Sequence, residues 1–189
     1  MLLPAIFYIA WDSLFTSRAV WSFNPEYVIG SKIAGLPIEE ILFFFVVPYC
    51  CVFIYECMLV YFPGIKNNAF PDNILKLLSA ILFITGVFYL KKDYTSWAFI
   101  LFSIFVGLFY CFRKYFEGFK TGVFLASYFI ILVPFLLVNG FLTAMPVVLY
   151  NDTENMGLRI YTIPFEDVFY GMLLVFMNLV IYEKLKTEY

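Results

Sequence analysis

The chain has 189 residues, of which 63% are hydrophobic, 23% aromatic and only 14% charged, with a net charge of −2. A soluble domain of this size carries about 25% charged residues and about 45–50% apolar ones, so this polar surface is too small to cover a water-soluble globule. The near-neutral balance gives no reason to expect a nucleic-acid partner, and the complete lack of histidine removes the commonest general base, metal ligand and physiological-pH switch together.

Apolar runs long enough to cross a bilayer set the class, since a helix needs roughly 20 residues to span a core of about 30 Å. The first segment runs from Met1 to about Phe15, and its most apolar part, Met1–Ile9, leads directly into Trp11-Asp12. It is too short to span upright, so either this helix is re-entrant or the full-length chain starts further upstream. Five more segments follow: Glu39–Phe62, Ile74–Leu90, Trp97–Phe112, Val123–Leu142 and Glu166–Glu183. Pro63-Gly64 with Asn67-Asn68, Lys91-Lys92-Asp93, and Arg113-Lys114 with Glu117-Gly118 supply the breaks between neighbours. Two longer connections, about Thr16–Ile38 and Ala144–Phe165, mix polar residues with aromatics. Pro48 and Pro134 fall inside apolar segments, where membrane bundles tolerate a kink. Cys50, Cys51, Cys57 and Cys111 lie in apolar runs without Cys-x-x-Cys spacing and read as packing residues. The expected fold is all-α, a polytopic membrane helix bundle of about six helices, or seven if an upstream helix exists.

Sliding the sequence along itself gives one ungapped repeat at an offset of 127 residues. Thr16 meets Thr143, Val20 meets Val147, Asn24 meets Asn151, Gly30 meets Gly157 and Ile33 meets Ile160. Pro37 then meets Pro164, Glu39 meets Glu166, Glu40 meets Asp167, and the register persists to Ile54-Tyr55-Glu56 against Ile181-Tyr182-Glu183. Asp12 meets its amide analogue Asn139. Chance alignment of apolar helices matches Ile with Val, but not Asn, Gly, Pro and three acidic positions in one register. Four apolar segments separate a unit from its copy, so the copies run the same way through the membrane, related by an axis along its normal. The expected organisation is a first repeat over 1–62, a connecting segment over 63–96 and a second repeat over 97–189, or three plus one plus three helices with an upstream helix.

Each unit reads as a loop, then Pro-x-Glu-Glu/Asp, then an apolar helix. Proline suits a helix entry and the acids that follow suit its first turn, where the dipole favours negative charge. Glu39, Glu40, Glu166 and Asp167 therefore have two readings, as ordinary first-turn acids at a water interface or as a functional group. Their recurrence brings four carboxyls to one end of a shared cavity. Neighbouring helix residues point about 100° apart, so one acid of each pair faces the bundle interior while the other faces water or a partner. An acid buried beside another stays protonated near neutral pH, which yields a proton donor and a proton acceptor without histidine. Glu56 and Glu183 lie about 24 Å further along their helices and read as interfacial anchors. Asp12 and Asn139 precede the loops and are placed to hydrogen-bond to them. Trp11, Trp21 and Phe23 either line a pocket or belong to the interfacial aromatic belt.

Trp11-Asp12, Phe23-Asn24-Pro25-Glu26-Tyr27, Gly35-Leu36-Pro37-Ile38-Glu39-Glu40 and Phe43-Phe44-Phe45 resemble the first repeat of the membrane-integral lycopene cyclases. Asn139-Gly140, Leu142-Thr143, Gly157-Leu158-Arg159 and Ile163-Pro164-Phe165-Glu166-Asp167 resemble the second, over nearly the whole chain and in the fused two-repeat form. The resemblance implies redox-neutral closure of the linear ends of lycopene, usually to β-ionone rings, in a bacterial or archaeal membrane and without a cofactor or metal. It implies that the paired acids Glu39, Glu40, Glu166 and Asp167 perform the acid–base work. Trp11, Asp12, Trp21, Phe23, Asn24, Asn139 and Asn151 are the candidates for contacting substrate. The partners are lycopene or a related linear carotenoid and membrane lipid, with other carotenoid enzymes or a second copy of the chain left open.

Other classes lack their residues. No Gly-x-Gly-x-x-Gly occurs among the ten glycines, which argues against a flavin cyclase. An intramembrane metalloprotease needs histidine ligands, and a prenyltransferase needs aspartate-rich metal motifs. A small parallel-repeat transporter remains the rival, although it should place its charge near the bilayer midplane rather than at helix starts. A carotenoid-binding protein without turnover is the third reading.

Overall fold

The computed structural model describes residues 1–65 and 68–188. The expected turn residue Asn67 lies outside them. Six helices form within the described residues: α1 (Leu2–Ser17), α2 (Ile38–Tyr61), α3 (Ala69–Phe88), α4 (Asp93–Cys111), α5 (Thr121–Ala144) and α6 (Glu166–Glu188). The last five contain stretches long and apolar enough to cross a membrane, so the chain is an all-α polytopic membrane bundle. At 16 residues, α1 is about 24 Å long, short of a bilayer core.

Helix starts depart from the apolar runs for a physical reason. Hydropathy marks where greasy residues begin, whereas a helix begins where its free N–H groups find acceptors. α3 starts five residues before Ile74 because the Asn68 side chain accepts the Phe70 N–H at 3.1 Å. α4 starts four residues before Trp97 because Glu154 accepts two of its N–H groups. Its carboxylate takes Asp93 at 3.1 Å and its carbonyl takes Tyr94 at 2.9 Å.

The two long connections contain short strands. β1 (Trp21–Phe23), β2 (Lys32–Ile33) and β3 (Leu36–Pro37) belong to the first, and β4 (Val148–Tyr150), β5 (Arg159–Ile160) and β6 (Ile163–Pro164) to the second. Each strand of the first connection falls on its counterpart 127 residues later. β2 pairs with β3 and β5 with β6, and the chain enters each hairpin through a glycine in the left-handed region, Gly30 at φ 91° and Gly157 at φ 82°. β1 pairs antiparallel with β4, its own counterpart, and Ser22 stands opposite Leu149, its own copy. Asn24 N–H donates to the Val147 carbonyl and Asn151 N–H to the Val20 carbonyl, both at 2.9 Å. A pseudo-twofold axis therefore passes through the Ser22–Leu149 pair, and it turns the first turns of α2 and α6 toward each other.

Lipid removes most of the hydrophobic drive for helix association, leaving close fit and interhelical hydrogen bonds. In the α3–α4 hairpin, Ser79 and Ser103 each donate to the other's carbonyl, at 3.4 and 2.8 Å. Asp72 ties α3 to its neighbours, accepting from Tyr110 of α4 at 2.9 Å and Thr121 of α5 at 2.6 Å. α6 is the central helix, packed on α4 across Phe99–Phe169 and Phe109–Phe176.

Candidate active site

Beneath the β1–β4 ladder, between α2, α5 and α6, lies a cavity of about 320 Å³. Its walls are almost wholly apolar and aromatic, and three carboxyls break them: Asp12 of α1, Glu40 of α2 and Asp167 of α6. Burying such groups in an apolar wall is costly unless each finds a partner.

The acid pairs divide in the same way in both repeats. Glu40 and Asp167 line the cavity, whereas Glu39 and Glu166 turn back to the loop that precedes their helix. Glu39 accepts the Ile29 N–H at 2.6 Å and Glu166 accepts the Met156 N–H at 2.7 Å. Ile29 and Met156 are themselves counterparts at the repeat offset, so the clamp is built twice. Glu166 is fully buried and takes a second donor, the Thr95 hydroxyl at 2.5 Å. Glu39 is partly exposed.

Tyrosines satisfy two of the cavity carboxyls. Asp167 accepts the Tyr94 hydroxyl on one oxygen and the Tyr150 hydroxyl, at 2.8 Å, on the other. Consecutive residues of α4, Tyr94 and Thr95, thus hold consecutive acids of α6. Asp12 accepts the Tyr170 hydroxyl at 2.7 Å, and its carboxyl lies beside that of Glu40 in the cavity wall. Two carboxyls side by side in an apolar wall resist carrying two negative charges at once, which favours one proton held between them. Tyr150 stands on β4, outside the spanning helices. Burial first, and then the charge of Asp167, push its hydroxyl well above the usual tyrosine range, so it stays a donor.

The remaining sequence candidates fall into two groups. Trp21, Phe23 and Asn139 line the cavity with Asp12. Trp11 does not. It is buried among rings, edge-on to Tyr170 at 5.0 Å and to Phe15 at 5.7 Å. Asn24 and Asn151 also lie outside the lining and shape the loops instead. Their side-chain oxygens accept the N–H groups of Glu26 and Thr153, both at 3.1 Å, in matching Asx turns. At the far end Glu56 pairs with Lys186 at 2.6 Å, while Glu183, also expected to anchor at the interface, is buried.

The tyrosines of the cavity are what the sequence reading passed over. Tyr170 was open to it, because three residues after Asp167 is the same helix face. Tyr94 was not, since it lies on a helix that has no counterpart within the repeat register. Among the described residues, no group of three His, Cys, Asp or Glu side chains is placed to hold a metal ion.

The sequence model of the lycopene cyclase family matches residues 1–58 and 91–185. The chain belongs to the lycopene cyclase family. The family is one of enzymes of carotenoid biosynthesis, and α3 falls in the stretch 59–90 that its model leaves unmatched. Among curated proteins, the chain is 34% identical over 47 residues to a bifunctional lycopene cyclase/phytoene synthase of Neurospora crassa. It is 42% identical over 41 residues to the protein of the same description from Aspergillus niger. These stretches cover 25% and 22% of this chain and 8% and 7% of the two relatives, so the match spans a small part of either. No solved structure matches the chain.

Proposed function

We propose that the chain closes the linear ends of lycopene into β-ionone rings by redox-neutral acid–base catalysis inside the membrane. The observation that carries this reading is the set of three carboxyls facing an almost wholly apolar, aromatic cavity, two of them, Asp12 and Glu40, side by side. Family membership supplies the substrate class, a linear carotenoid. The host membrane is bacterial or archaeal in the reading from sequence, and the two named relatives are fungal.

The chemistry divides among the residues as follows. The Asp12–Glu40 pair holds one proton and delivers it to the terminal double bond of the end group. The resulting tertiary cation is attacked by the neighbouring alkene, which forms the ring bond and moves the charge to the next tertiary carbon. Asp167, acceptor of two tyrosine hydroxyls, removes a proton from the ring junction carbon, and the electrons of that C–H bond form the ring double bond. One proton enters and one leaves, so transfer from Asp167 back to the Asp12–Glu40 pair resets the site without a co-reactant. The faces of Trp21, Phe43 and Tyr94 along the wall stabilise the cation. The apolar lining keeps out the water that would trap the cation as an alcohol. Glu39 and Glu166 act through the loops, fixing the height of the acids next to them.

Expression in a lycopene-accumulating bacterial host tests the reading. Cyclic carotenoids in the pigment extract support it, and unchanged lycopene beside well-expressed protein in the membrane would sink it. Bound but unaltered lycopene would point instead to a carotenoid-binding protein without turnover.

A further inference from the structure

The cavity does not obey the pseudo-twofold axis. On α5, Phe135, Val138 and Leu142 line it. Their counterparts on α1 are Tyr8, Trp11 and Phe15, exposed by 0%, 4% and 0%. Trp11 packs on both Tyr8 and Phe15, Tyr8 and Trp11 pack on Tyr170, and Tyr8 also meets Phe44 at 5.5 Å. On α6 the cavity wall carries Gly171, whose counterpart on α2 is Phe44, fully buried. The slot between α6 and α1 is thus filled with rings, and the Tyr8 hydroxyl bonds the Tyr170 carbonyl across it at 2.8 Å.

The equivalent slot between α2 and α5 has a mouth. Cys50 of α2 and Pro134 and Val138 of α5 line the cavity and are also exposed. Cys50 lies twelve residues into α2, about 18 Å from its first turn, so the mouth opens at the depth of lipid hydrocarbon.

Resting on the cyclase reading above, we infer that the end group of a long linear polyene sits at Asp12, Glu40 and Asp167 while its tail leaves sideways through the α2–α5 slot. Gly171 is the residue that keeps this slot open. A cavity of about 320 Å³ is at the small end for ligand sites and takes one end of such a chain, not its length. Lipid already solvates the tail, so burying it in protein would gain little. A Cβ on Gly171 would stand 3.0 Å from the Phe135 ring, and a larger side chain drives that ring into the cavity. Because the sister slot is filled, the substrate has one way in and presents one end per visit.

The test uses the full chain in membranes of the lycopene-accumulating host and reads initial cyclisation rate at matched protein level. Gly171→Leu and Val138→Trp narrow the slot and should each slow turnover roughly ten-fold or more. Ile6→Trp, on the exposed face of α1, should leave the rate unchanged. Gly171→Leu combined with Phe135→Ala restores the room and should recover most of the lost rate, while thermal unfolding in detergent shows Gly171→Leu alone as stable as the wild type, which a folding defect would not do. Full rate in both narrowing variants, equal loss in Ile6→Trp, or no recovery in the double variant overturns the slot. If the wild-type chain makes no cyclic product at all, the cyclase reading itself falls and the slot with it.

Discussion

The two repeats share a backbone plan and differ in what they place at the cavity. Both clamp their loop with the first acid of the pair and present the second to the cavity, Glu40 in one and Asp167 in the other. They part at the preceding helix, where the first repeat has Asp12 and the second has Asn139. Asp12 makes Glu40 one of two neighbouring carboxyls, whereas Asp167 accepts from two tyrosine hydroxyls. Duplication of one segment thus supplies two acids in symmetry-related positions, and in the mechanism we propose a single amide-for-acid difference separates a proton-holding pair from a proton acceptor. Symmetry builds the site and a local departure from it gives the site a direction.

The strongest way to break this comparison is to remove either cavity acid. Glu40→Gln and Asp167→Asn each delete one partner of a proton transfer, so each should lower cyclisation by roughly 10²–10⁴-fold while the protein stays in the membrane. Pigment extraction from the lycopene-accumulating host reads the loss. Near-normal turnover in either variant would count against the assigned roles.

Converting the first repeat to the second at its distinguishing position comes next. Asp12→Asn places an amide beside Glu40 that donates to its carboxylate and leaves no shared proton. A loss of roughly 10²-fold is expected, with an altered pH–rate profile as the pair is reduced to a single acid. An unchanged profile would mean that Asp12 serves the fold rather than the proton.

The first acids sharpen the comparison through stability. Glu166 is buried with two donors, and Glu39 is partly exposed with one backbone donor. Glu166→Ala strands the Met156 N–H and the Thr95 hydroxyl and should cost roughly 1–3 kcal/mol. Glu39→Ala leaves a donor that water can reach and should cost less than Glu166→Ala. Gln at either position keeps an acceptor oxygen and should be mild. Thermal unfolding in detergent orders the four variants, and equal losses for the two alanines would contradict the difference in burial.

How far this was legible in the sequence depends on the kind of signal. Bundle class and helix order followed from apolar runs because lipid imposes a length on every span. The repeat followed from Asn, Gly, Pro and acid positions, which apolar drift does not reproduce. Which acid of each pair faces the cavity was not legible, because a 100° step separates the two without saying where the interior lies. The ladder in which β1 pairs with its own copy was hidden as well, since strands of two or three residues carry no periodicity. Tyr94 was hidden for a different reason, as it reaches Asp167 from a helix 73 residues away in the chain.

The smallest expected effect separates the loops rather than the acids. Asp152 and Arg159 form an ion pair across the second loop, and the first loop has Pro25 and Lys32 at the same places, so it has no counterpart. The Arg159 guanidinium, with help from Asn155, holds the Asp152 carboxyl below the usual carboxylate range. A carboxyl depressed by folding stabilises the fold fully above its unfolded value of about 3.9. The contribution fades as pH falls through the lower folded value. Because the Asp152 side chain is 69% exposed, the whole effect is within about 0–1 kcal/mol. Amide hydrogen exchange read at falling pH should therefore show residues 151–159 losing protection while residues 24–32 keep theirs. Asp152→Asn should lower the protection of the second loop at neutral pH and make it insensitive to acid. If both loops loosen together, their shared pairing across β1 and β4 governs the response, and the ion pair adds nothing to it.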